Sequence, residues 1–205
     1  MTAAAKPTTR DEAREPQRER GKQRVAALLQ AATAVFAEKG FDAATMTEIA
    51  ARAGAPIGSL YQFFPNKDAL ADALMRRYAK RVLERLEEIE AGAATLPLAA
   101  LGAALLETLL TFSEERAAAM AMVDVRRESK LGAQDMRMAL RQQLVRVLRA
   151  RDRSLTPARV TTIAATVQMM MKTAVTLAAE HGSEGAVMDE LRDATRLYLA
   201  SRLAG

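Results

Sequence analysis

The sequence predicts an all-α protein of about nine helices, and three observations carry that expectation. Half of the 205 residues are apolar but only 4% are aromatic, and Ala, Leu, Arg and Glu dominate, a composition suited to helices rather than sheets. Apolar residues recur at helical spacing in one segment after another. Five of the six prolines fall in the N-terminal segment or at the boundaries between these stripes, and none lies inside one.

In chain order, residues 1–16 mix Ala, Thr, Pro and alternating charge without periodicity, which predicts a disordered arm. Val25, Leu28, Leu29, Ala32, Val35 and Phe36 stripe a first helix that Gly40 stops. Thr45 and Glu48 stand in capping-box spacing and open a short helix ended by Gly54. Pro56 suits the entrance of another short helix, which closes before Pro65. Asn66 caps a long helix striped by Leu70, Leu74, Tyr78, Val82, Leu86 and Ile89 as far as about Ala91. Pro97 precedes a helix marked by Leu101, Leu105 and Leu109, a less regular segment follows, and Met136, Leu140, Leu144 and Val147 stripe the next. Pro157 starts a helix reaching His181, and Val187 to Leu203 is the last.

Several functional classes are disfavoured by composition alone. The absence of cysteine removes disulfides, thiolate nucleophiles and cysteine-held metal centres. A single histidine, His181 at a helix end, suits a capping role better than proton transfer, and no phosphate-cradle or nucleophile-elbow motif appears. The expectation is therefore no catalytic residue, no metal and no cofactor. No apolar run reaches the roughly 18 residues that span a bilayer, and the N-terminus is charged, which predicts a cytoplasmic protein without a membrane partner. The net charge of +5 is uneven, with an excess of three positive charges within residues 1–24 and of five within 137–153.

Residues 45–67, TMTEIAARAGAPIGSLYQFFPNK, carry the functional signal. A capped two-turn helix, a glycine turn and a second short helix match a helix-turn-helix, whose second helix enters the major groove. Ile49, Ala50, Ala53, Leu60 and Phe64 would pack inward, leaving Ile57, Gly58, Ser59, Tyr61 and Gln62 outward. An ordinary helical hairpin is the competing reading of the same spacing.

The letters add to the geometry. With FAEKGF at 36–41, T-x-x-x-I-A at 45–50, AG at 53–54, GSLY at 58–61 and FPNK at 64–67, residues 25–74 resemble the TetR (AcrR-like) transcriptional regulators. The resemblance implies DNA contacts from Thr45, Thr47, Pro56, Ile57, Gly58, Ser59, Tyr61 and Gln62, and a phosphate contact from Lys67. It also implies a homodimeric repressor on double-stranded operator DNA, released by a small-molecule effector. Gln62 and Phe63 depart from the aromatic-then-His pair of many members, and Pro56 and Ile57 from the usual polar pair.

The division expected is an arm at 1–16, a DNA-binding domain at 17–67 and a ligand-binding and dimerisation domain at 68–205. A small, largely apolar effector would meet Phe112, Met120, Val123, Met136 and Met170, the methionines supplying adaptable surface. Val160, Ile163, Val167, Met170, Ala174 and Leu177, with Leu191, Ala194 and Tyr198 on the last helix, form a seam expected to face a second copy. A helical-bundle enzyme or small-molecule carrier, with 45–67 a plain hairpin, is the alternative. A salt-dependent DNA shift with the gene's own upstream region separates the two.

Overall fold

The computed structural model describes residues 19–123 and 127–203, and the side chains of these except within 120–133. The expected arm at 1–16 lies outside the described residues. Among those described, every regular element is helical: α1 (Glu19–Ala43), α2 (Met46–Arg52), α3 (Ile57–Phe63), α4 (Lys67–Gly92), α5 (Leu98–Thr111), α6 (Ser113–Val123), α7 (Arg127–Arg151), α8 (Pro157–His181) and α9 (Ala186–Arg202).

Local signals set the boundaries. Gly40 breaks α1 with φ 75° and ψ 171°, a conformation that only glycine adopts without strain. The Asn66 carboxamide oxygen accepts from the Ala69 amide at 2.7 Å, capping α4, and the Thr156 hydroxyl accepts from the Arg159 amide to cap α8. Pro56 and Pro97 sit at the entrances of α3 and α5, where a missing N–H costs nothing.

The chain divides into two compact units, Met1–Arg77 with Ala117–Ser129, and Tyr78–Arg116 with Lys130–Gly205. The sequence reading places the division at 67/68, whereas the first unit runs into α4 as far as Arg77. The reason is packing: Leu70 and Leu74 of α4 are buried, and Arg77 donates to the Ala26 carbonyl of α1 at 3.5 Å. Leu28, Ala32, Val35 and Phe36 of α1 join Ile49, Leu60 and Phe64 in this core, and the Phe36 and Phe41 rings meet at 5.5 Å.

In the second unit α5 lies against both α8 and α9, and α8 against α9. Leu101, Leu105, Leu106 and Leu109 of α5 are buried, as are Val160, Ile163, Val167, Met171 and Ala174 of α8. Leu140, Leu144, Val147 and Leu148 give α7 its buried side.

Candidate nucleic-acid interface

Thr45 builds the entrance to α2. Its hydroxyl oxygen accepts from the Glu48 amide at 3.2 Å, while the Glu48 carboxylate accepts from the Thr45 amide at 3.1 Å and from the Thr45 hydroxyl at 2.9 Å. This is the reciprocal capping box expected from the spacing. The single hydroxyl donor of Thr45 is thereby engaged inside the protein.

Two ion pairs fix α2 on α1. Arg52 grips Glu38 with both terminal nitrogens, and Lys39 meets Glu48. The Arg52 hydrogen bond first, then its charge, holds the Glu38 carboxyl below the ordinary carboxylate range. Glu48 is lowered in the same way, first by Lys39 and then by Thr45. These pairs link residues far apart in sequence, and nothing in the local pattern of α1 or α2 announces them.

Gly54, at φ 59°, turns the chain between α2 and α3. Leu60, fully buried, and Phe64 anchor α3 inward. Its outer side carries Ile57 and Tyr61, 40% and 50% exposed, together with exposed Gly58 and Gln62. Open space surrounds the place where a side chain on Gly58 would stand, so backbone can approach closely there. Pro56 and Thr47 are exposed, and Ser59 is half-buried. The outer side of α3 thus carries the phenol of Tyr61 beside the amide of Gln62, groups able to meet phosphates and base edges.

Lys67 is placed differently. Its ammonium donates to the carbonyls of Phe41, Asp42 and Ala44 at 2.7, 3.0 and 3.0 Å, and lies 4.6 Å from the centre of the Phe41 ring. Three donors are all that an ammonium has. Reaching a phosphate from this position means giving up a carbonyl at the end of α1.

The remaining sequence-predicted residues fall elsewhere. The Met120 and Val123 side chains lie outside the described residues. Phe112 is buried with the Arg81 guanidinium 4.5 Å from its ring centre, and Met136 is buried. Met170 packs on the cluster of Leu106, Ala174 and Met188, beside Leu177 and Leu191. Of the expected dimer seam, Val160, Ile163, Val167 and Ala174 are 2% exposed or less within the single chain, whereas Met170, Leu177, Leu191 and Tyr198 are half-buried and Ala194 is exposed. A surface already covered by the chain itself is not available to a copy.

A different stripe of α8 points outward. Thr162, Thr166, Met169, Thr173 and Thr176 follow one another at intervals of four and three residues. Each threonine hydroxyl donates to the carbonyl four residues earlier, on Ala158, Thr162, Met169 and Lys172 respectively. The hydroxyls are thereby bonded to their own helix, around Met169, which is 58% exposed. On α9 the exposed series is Val187, Glu190, Ala194, Leu197 and Ser201, with Leu197 57% exposed, while Tyr198 is half-buried.

Residues 28–74 match the family model described as bacterial regulatory proteins, tetR family. The HTH-type transcriptional repressor KstR2 of Mycobacterium tuberculosis is 40% identical over 62 residues, 30% of this chain and 31% of that protein. The chain thus spans about a third of the length of that relative. Among solved structures, the SmeT–triclosan complex is similar with a TM-score of 0.69 at 22% identity, over 89% of this chain and 92% of that one. NalD, the secondary repressor of the MexAB-OprM multidrug efflux pump in Pseudomonas aeruginosa, gives a TM-score of 0.60 at 19% identity, over 91% and 98%. At such identities these likenesses concern the fold.

Proposed function

We propose, on the premise that this chain belongs through residues 28–74 to the tetR family of bacterial regulatory proteins, that it is a cytoplasmic, homodimeric repressor that reads operator DNA with α3 and is released by a small molecule. It acts as a regulator rather than an enzyme. The observation that carries this reading is the outer side of α3, where Ile57, Gly58, Tyr61 and Gln62 are exposed together on a helix anchored by Leu60 and Phe64.

The roles follow from chemistry. Gln62 can pair through both ends of its amide with an adenine edge, and Tyr61 offers a hydroxyl for phosphate with a ring for sugar or thymine methyl. Thr47 is exposed beside the capped end of α2 and suits a backbone phosphate. Gln62→Ala and Tyr61→Ala are each expected to weaken operator binding by about 1 to 3 kcal/mol, Gln62→Ala also relaxing the preference at one base pair. Titrations by gel shift against operator and substituted operators measure both. Wild-type affinity in the two variants would overturn this surface.

One short recognition helix reads few bases, and a second copy places another about 34 to 36 Å away on the next turn of DNA. The outward stripes of α8 and α9, Ala194 of the expected seam among them, form that twofold interface in place of the α8 residues that the chain buries. The effector binds in the second unit. The triclosan named with SmeT and the efflux pump named with NalD support small-molecule control by analogy of fold.

A further inference from the structure

Most basic side chains of the second unit that face acidic neighbours are neutralised: Arg81 by Glu115, Arg146 by Glu90, and Arg192 by Glu107 and Asp189. One group is arranged otherwise. Gln168 of α8, 2% exposed, uses both ends of its amide on α7: its oxygen accepts from Arg141 Nε at 3.0 Å, and its nitrogen donates to the Arg137 carbonyl at 2.9 Å. This pins two successive turns of α7 against α8. It leaves the terminal nitrogens of the Arg141 guanidinium outside that bond, on an exposed side chain.

Lys172 follows Gln168 by one turn on the same side of α8. Its ammonium is partly buried, and burial first, then the charges of Arg137, Arg116 and Arg141, pushes its pKa below the ordinary lysine value. The charges that shift it among the described residues, those of Arg137, Arg116 and Arg141, are of its own sign. Among the described residues, no carboxylate pairs with Arg137, Arg141 or Lys172. The Gln168 bonds and the one-turn spacing of Arg137 with Arg141 and of Gln168 with Lys172 therefore bring cations of α7 and α8 together, and a buried amide holds the two helices in register. Like charges collected in this way repel unless an anion joins them.

We propose that Arg137, Arg141 and Lys172, with Arg116 adding its charge, form a subsite for an anionic group, a carboxylate or a phosphate, carried by the effector. The assignment of that anion to an effector rests on the regulator reading above; the anion site itself does not. A planar guanidinium suits two oxygens at once, and the ammonium supplies a third contact of high charge density.

Thermal unfolding of the full-length protein provides the test. Inorganic phosphate is expected to raise the midpoint above that in chloride at matched ionic strength, and Lys172→Met and Arg137→Gln are each expected to abolish the difference. At low salt Lys172→Met is expected to unfold no earlier than wild type, because it removes a repelled charge; a lysine with a purely structural role would give the opposite. Decanoate and decyl phosphate are expected to bind at least about tenfold more tightly than decanol, and each variant to weaken them by about 10- to 100-fold. The tighter of the two anions assigns carboxylate or phosphate. Equal stabilisation by phosphate and chloride, an ionic-strength effect only, overturns the subsite, as do variants that bind decanoate like wild type. If an anion binds through these residues yet leaves operator affinity unchanged in gel shifts, the subsite stands and release by such an effector falls.

Discussion

Met169→Glu combined with Leu197→Glu is expected to yield a folded monomer whose operator affinity is lower by about 10²- to 10⁴-fold, the loss that follows when two linked contacts become one. Both side chains are more than half exposed in the single chain, at 58% and 57%, so charging them leaves the core intact. Across a twofold axis the new carboxylates would approach their own copies and repel. Sedimentation reads the mass, and gel shift reads the affinity. A sharper contrast comes from Met170→Glu with Leu191→Glu, which strikes the packing around Leu106, Ala174 and Met188. That pair should lower thermal stability by several kcal/mol through buried charge, whatever the state of association. A dimeric Met169→Glu, Leu197→Glu variant would overturn the interface.

Lys67→Met is expected to destabilise the first unit by about 2 to 3 kcal/mol and to weaken operator binding without changing its salt dependence. The stability loss follows from three carbonyls, those of Phe41, Asp42 and Ala44, losing their common donor, two of them partly buried. These carbonyls lie immediately before Thr45, the cap of α2. Slackening there disturbs the placement of α2, and with it α3. A lysine bound to phosphate predicts something else: its removal reduces the slope of log affinity against log salt by about 0.9 per contact. Thermal melts and gel shifts at several salt concentrations separate the two. Unchanged stability with a reduced slope would return Lys67 to the DNA.

What was legible in the sequence was whatever depends on neighbours in the chain. The capping box of Thr45 and Glu48, the stop at Gly40, the cap at Asn66 and the outward residues of α3 are all relations over a few residues, and periodicity or cap chemistry reveals them. The role of Lys67 is a closure over more than twenty residues, invisible until α4 is set against the end of α1. The burial of Val160, Ile163, Val167 and Ala174 was illegible for a different reason. Periodicity identifies the apolar stripes of α8 but not which of them the chain covers by itself. Threonine also counts as polar in a sequence, yet Thr162, Thr166, Thr173 and Thr176 spend their hydroxyl donors on their own backbone.

Gly40 has a consequence for how this protein can vary. Nothing stands within 4 Å of the position where a side chain would begin, so by volume any residue fits. The backbone, at φ 75° and ψ 171°, admits almost none. A comprehensive substitution library should therefore show a spatially vacant site that rejects alanine nearly as strongly as it rejects tryptophan. Such a flat penalty, independent of size and polarity, identifies intolerance that originates in the main chain, and it makes this turn a fixed point around which the neighbouring helix surfaces are free to drift.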